Sequence, residues 1–116
     1  MSAAASPAPA DHLAAYAAWL LRQPLSVHTR RAYHVQVAQY CAYLAAMPLA
    51  YGDPLRVPHA RDYAVRDYKT YLKTVRHAKP RTVNLALAAI DHFYRFLGIG
   101  RPAVGGRTSR SRRRAP

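Results

Sequence analysis

Glutamate is missing from this chain: all five acidic residues are aspartates, set against 18 lysines and arginines. Asp11, Asp53, Asp62, Asp67 and Asp91 are scattered, and Asp62 and Asp67 face different directions on a helix. No carboxylate pair is therefore placed for general acid–base work. Cysteine is almost as scarce. Cys41 stands alone, which excludes an internal disulfide and a thiolate cluster for zinc and agrees with a reducing compartment. There is no glycine-rich phosphate loop and no Ser–His–Asp set in plausible proximity. The longest apolar run, residues 13–21, falls far short of the ~20 residues a membrane span needs. The opening MSAAASPAPA has no basic segment before an apolar one, so it does not read as a secretory signal. No stretch alternates with period two for long enough to be a strand. These absences lead to the expectation of a cytoplasmic, all-α protein without cofactor, metal or membrane contact, and not itself an enzyme.

What is present is positive charge. The formal charge is +13. Six arginines beyond residue 100 account for part of it, so residues 1–100 carry 12 − 5 = +7. That surplus belongs to the folded part and points to a polyanion, bound through charge neutralisation and counterion release. Nucleic acid is favoured over a membrane surface, because the charged faces lack bulky apolar counterparts on the outside. Six histidines (His12, His28, His34, His59, His77 and His92) form the remaining titratable inventory. No two share a helical turn and no second ligand type gathers near them, so they do not read as a metal site.

Four helices are expected. Asp11 caps the first, over residues 11–22, where Leu13, Ala17, Leu20 and Leu21, with Tyr16 and Trp19, form an apolar surface. Gln23-Pro24 ends it. Ser26 caps the second, which runs to about residue 46 with Tyr33, Val37, Tyr40 and Leu44 inward. Residues 49–57 read as a loop. The third covers residues 58–77 with Ala64, Tyr68, Tyr71 and Val75 inward, Tyr63 and Leu72 beside them, and Arg61, Arg66, Lys69, Lys73 and Arg76 outside. The fourth follows Lys79: Pro80 suits the first turn, and Gly98 supplies a left-handed end. Val83, Leu87, Ile90, Tyr94 and Leu97 line its core face, widened by Ala86 and Phe93. Arg81, Asn84, Ala88, His92 and Arg95 line the other. The tyrosines on these stripes are expected to pack with their hydroxyls at the periphery. Residues 1–10 and 101–116 are expected to be disordered flanks of one domain over 11–100.

The basic residues are organised. Helices two and four each begin with a basic, small-polar turn: Ser26, Val27, His28, Thr29, Arg30 and Arg31, then His34; and Lys79, Pro80, Arg81, Thr82, Val83 and Asn84. Helix N-termini favour phosphates, and Arg and Asn on the next turn can reach base edges. Two such turns suggest two helices presented side by side to a DNA groove. With His92 and Arg95 they make up the candidate DNA-binding set.

The pattern Ser26, Thr29, Tyr33, Tyr40 and Leu44 resembles the opening of the core-binding domain of tyrosine recombinases, the phage-integrase and Xer-like group. Arg61-Asp62-Tyr63, Tyr68 and Leu72 look like its middle helix. Pro80-Arg81-Thr82-Val83-Asn84, followed by Leu87, Ile90, Phe93-Tyr94 and Leu97, is similar to its final helix. Lys79 departs from the small capping residue common there, and the core is unusually rich in Tyr and Ala. The resemblance implies a four-helix SAM-like bundle that grips one side of double-stranded DNA, with other recombinase protomers as possible neighbours. In that family a separate domain carries an arginine, a lysine, a His-x-x-Arg motif and a nucleophilic tyrosine. No His-x-x-Arg follows Gly98, no tyrosine follows Tyr94, and the ending GGRTSRSRRRAP fits no domain. The expectation is a truncated integrase that binds DNA and cannot cut it. The competing readings are a helical protein-interaction module and an RNA-binding protein acting through the arginine tail.

Overall fold

The computed structural model describes residues 8–47 and 52–100. The expectations for residues 1–7 and 101–116 lie outside these, as does the first part of the loop after the second helix. Four helices follow one another: α1 (Pro9–Leu20), α2 (Val27–Ala46), α3 (Pro58–Thr74) and α4 (Pro80–Leu97), with no strand among the described residues. The fold is the all-α four-helix bundle that the sequence periodicity calls for. None of these helices is long and apolar enough to cross a membrane.

The helix ends follow from local chemistry. Ser26 caps α2 as expected, its Oγ accepting from the Thr29 N–H at 3.0 Å. Pro80 opens α4 and Gly98 closes it with φ 84°, its amide reaching the Tyr94 carbonyl at 3.0 Å. Asp11, expected as the cap of α1, instead sits inside the first turn. Pro9 starts the helix two residues earlier, and the Asp11 carboxylate accepts from the Ala8 N–H at 3.2 Å. Residues 9 and 10 thus belong to α1 rather than to a disordered flank. At its other end α1 stops at Leu20, short of residue 22, and Leu21 points to solvent at 71% exposure rather than into the core. Helix α3 stops at Thr74, short of residue 77. His77 takes the left-handed conformation (φ 52°) that glycine usually supplies, and the Ala78 N–H turns back to the Leu72 carbonyl at 2.9 Å.

The core is built around α4, which packs chiefly on α2, while α1 packs on α2 and also meets α4 through Tyr16 and Trp19. Val83, Ala86, Leu87, Ile90, Phe93 and Tyr94 are buried, and Leu97 partly so. At about 1.5–3 kcal/mol for each large apolar side chain removed from water, this face is the main stabilising element. The tyrosines go deeper than expected. Tyr16, Tyr40, Tyr68 and Tyr94 are fully buried, hydroxyls included. The Tyr40 and Tyr94 hydroxyls lie 2.7 Å apart and satisfy one another inside the core, whereas the Tyr68 hydroxyl is buried with no hydrogen-bond partner.

Helix α3 is rotated from the expected phase. Its buried face is Arg61, Val65, Tyr68 and Leu72, while Ala64 and Tyr71 are half-buried and Val75 is 60% exposed. The reason is Arg61, expected outside. Its Nη1 donates to the carbonyls of Ile99 and Gly100, the latter at 3.1 Å, and its Nε donates to Asp62 at 2.9 Å. A charge so provided with acceptors can be buried, and it ties the start of α3 to the stretch that leaves α4.

Candidate nucleic-acid interface

The polar stripe of α4 lies opposite its core face. Arg81, Asn84 and Arg95 are exposed, and Ala88 and His92, between them in register, are half-buried. Lys79 and Thr82 are exposed beside the first turn. The Lys79 side chain makes no capping bond, so the amides at the start of α4 are left without a side-chain acceptor. Such a turn carries partial positive charge beside two cationic side chains, a suitable place for a phosphate.

The first turns of α2 divide into two groups. His28, Arg31 and His34 are exposed. Ser26 and Thr29 are engaged in the cap, with the Ser26 hydroxyl donating to Thr29 Oγ1 at 3.0 Å. Arg30 is half-buried, and its Nη1 turns back to the carbonyls of Leu21 and Gln23 at 3.5 and 3.4 Å, where α1 passes into α2. Three of the candidate residues thus hold the turn in shape, and three face outward.

An open cleft of about 530 Å³ joins the two helices, lined by Leu25, Tyr33, Ala88, Asp91, His92, Arg95 and Gly100. The start of α2 therefore runs beside the C-terminal half of α4. The first turn of α4 lies farther along the same stripe, about 15 Å from His92 at a rise of about 1.5 Å per residue. Helices α2 and α4 lie against each other, and one polar stripe joins their two basic turns.

His92 is the least free of the candidate residues. Its ring packs among Tyr16, Trp19 and Tyr33, with centroids 5.8, 5.0 and 5.3 Å away. Nδ1 is 2.8 Å from the Tyr16 hydroxyl, which leaves Nε2 for any other partner. Burial, and secondarily the charge of Arg95, hold its pKa below the ordinary 6.5. Burial pushes the Tyr16 hydroxyl well up, so it keeps its proton. Sequence reasoning found His92 on the polar stripe but carried no signal for Tyr16, which lies on another helix. Buried Cys41, pushed up to about 12, is a core residue without thiolate character. Among the described residues, no three His, Cys or Asp side chains come close enough to hold a metal ion.

Compared with known proteins, residues 13–98 match the family described as phage integrase, N-terminal SAM-like domain. No curated protein and no solved structure matches the chain.

Proposed function

The chain belongs to the phage integrase N-terminal SAM-like domain family, and from that premise we propose that it is a double-stranded DNA-binding module of a tyrosine-type site-specific recombinase, acting in DNA integration and recombination. The observation that carries this reading is the exposure of Arg81, Asn84 and Arg95 on one stripe of a helix whose opposite stripe is the core. Lys79, Arg81 and Thr82 meet phosphates at the start of α4, and Asn84 has the paired donor and acceptor that an adenine edge requires. His28, Arg31 and His34 extend the contact from α2, on a turn that Ser26, Thr29 and Arg30 keep rigid. His92 stiffens the stripe from behind, and Arg95 adds charge at the cleft. Other protomers of the recombinase would be neighbours on the same DNA.

Residues 11–100 act as the gripping unit, and the arginines of 101–116 add diffuse phosphate contacts. Strand cleavage is assigned to no residue of the bundle. The Tyr40, Tyr68 and Tyr94 hydroxyls are sealed in the core and held protonated by burial, so they cannot attack a phosphodiester.

The test is duplex binding by Arg81→Ala and Asn84→Ala, both expected to weaken affinity, Asn84→Ala by about 1–3 kcal/mol through loss of a base-edge contact, with the helical circular dichroism unchanged. Unchanged affinity in both variants would remove α4 from the interface. Trimming after Gly100 separates this reading from RNA or DNA binding by the tail alone, which predicts that all affinity goes with the tail.

A further inference from the structure

The contact between Tyr16 and His92 determines which nitrogen of the imidazole carries the hydrogen, and so what the α2–α4 cleft offers a ligand. Tyr16 is fully buried, and among the described residues its hydroxyl has one hydrogen-bond partner, His92 Nδ1 at 2.8 Å. Two arrangements fit that distance. If Nδ1 carried the hydrogen, it would donate to the Tyr16 oxygen, and the phenol proton would be left inside the protein with no acceptor. If Nδ1 is bare, it accepts the phenol proton and both groups are satisfied. A buried donor without a partner is costly, so the second arrangement is the one adopted.

Burial keeps both groups in the forms this requires. It raises the Tyr16 pKa, with Tyr33 adding to the rise, so the phenol keeps its proton. It also lowers the His92 pKa, with the charge of Arg95 adding to the fall, so the ring is neutral around neutral pH. A neutral imidazole holds a single ring hydrogen. With Nδ1 bare, that hydrogen is on Nε2.

Nε2 is the accessible end of the ring. Among the described residues, the buried side-chain nitrogen and oxygen atoms without a partner are His12 Nε2, Gln36 Oε1 and the Tyr68 hydroxyl. His92 Nε2 is unpartnered there too but is absent from that set, so it reaches solvent. Tyr16, Trp19 and Tyr33 pack around the ring. The open space that His92 lines is the cleft of about 530 Å³, which it shares with Tyr33, Asp91 and exposed Arg95. An uncharged N–H held by packed rings loses little freedom on binding, and the partner it takes is a hydrogen-bond acceptor. DNA presents such atoms as phosphate oxygens and as the N7, O6 and O4 atoms of base edges.

We propose that the Nε2–H of His92 donates to an acceptor atom of DNA at the α2–α4 cleft, and that Tyr16, buried behind it, is the positioning residue that sets the tautomer and holds the ring. The inference rests on the reading of the α2–α4 surface as a DNA-binding face, and the two are separable by experiment.

The test is NMR of the full chain carrying isotope-labelled histidine, with the His92 signals identified by their loss in His92→Gln. In the free protein at neutral pH, His92 is expected to show the Nε2–H tautomer alone. The Nδ1–H form as the main species would overturn the proposal. Short duplexes of G·C pairs only and of A·T pairs only are then added in turn. His92 Nε2 and its hydrogen are expected to shift together with the backbone amides of Arg81 and Asn84. Equal shifts of Nε2 with the two duplexes mark a phosphate oxygen as the acceptor, and unequal shifts mark a base edge. Amides that move while Nε2 stays put would overturn this inference alone. If none of the three responds, the reading of the α2–α4 surface fails and the inference with it. Tyr16→Phe, its fold checked by circular dichroism, is expected to show both tautomers and to lose duplex affinity by about two- to fivefold, within the worth of one neutral hydrogen bond. A single tautomer with parental affinity in that variant would overturn the role given to Tyr16. Should the variant not fold, the tautomer and the shifts of the unsubstituted chain still decide the proposal.

Discussion

The hydroxyl of Tyr16 on α1 lies 2.8 Å from Nδ1 of His92 on α4, across 76 positions of sequence. With the imidazole neutral and Nδ1 bare, the Tyr16 O–H donates to it. The bond binds the first helix to the polar stripe of the last, so the stripe is backed by packed rings rather than by solvent.

Stability should therefore depend on pH through His92. The unfolded chain takes up the proton near the ordinary 6.5, whereas the folded protein holds the pKa lower, through burial first and Arg95 second. Between those two values the unfolded state binds more protons. The contribution is fully present above 6.5, declines as pH falls, and levels off once the folded-state value has been passed. Urea midpoints measured from neutral to mildly acid pH should show the decline, and His92→Gln should flatten it while lowering the midpoint at neutral pH. An unaltered pH profile in the variant would refute this assignment.

Arg61 should matter for stability rather than for DNA contact. Its Nη1 bonds to the Ile99 and Gly100 carbonyls, and its Nε bond to Asp62, hold the chain where it leaves α4. Arg61→Ala is expected to cost about 1.5–3 kcal/mol, the range for hydrogen bonds to a charged group. Amide exchange should quicken at the C-terminal end of α4, with duplex affinity of the folded fraction unchanged. A variant as stable as the parent would show the clamp to be idle.

The buried tyrosines give a prediction of opposite signs. Tyr40→Phe leaves the Tyr94 hydroxyl without its partner at 2.7 Å and should destabilise by about 1–3 kcal/mol. Tyr40→Phe/Tyr94→Phe, which removes both hydroxyls, should cost less than the sum of the single changes. Tyr68→Phe removes a buried hydroxyl that has no hydrogen-bond partner and should be neutral or stabilising. Denaturant melts of the four variants decide the matter. Additive losses at Tyr40 and Tyr94 would mean that the pair does not interact.

On α2, Ser26→Ala and Arg31→Ala should separate structure from contact. Losing the Ser26 cap costs about 1 kcal/mol of stability and affects DNA affinity only through folding. Arg31→Ala, at an exposed position, should leave the melt within about 0.5 kcal/mol and weaken duplex binding. The reverse pattern in melts and binding curves would exchange the two roles.

The bounds of α2 and α4 were legible because their signals are local: Ser26 three residues before Thr29, Pro80 at one end and Gly98 at the other. The phase of α3 was not. An arginine at position 61 reads as a solvent-facing charge, and nothing nearby in sequence reveals the carbonyls of residues 99 and 100 that receive it. Likewise, His77 gives no hint in sequence that it will take the conformation of a terminal glycine. Tyr40 and Tyr94 were legible as core residues, but their mutual hydrogen bond spans two helices, so the hydroxyls were expected at the surface. The polar stripe of α4 could be read from its period, whereas the diversion of Arg30 to the Leu21 and Gln23 carbonyls depends on how α1 turns into α2.

The central claim is that the folded bundle holds DNA through the polar stripe of α4. Its most direct test is a salt titration of duplex binding by the full chain and by Arg81→Ala. The account predicts that log K falls linearly with log salt concentration, and that the slope shrinks by about 0.9 in the variant as one phosphate contact is lost. An affinity that salt does not change, or a slope identical in the two proteins, would contradict it.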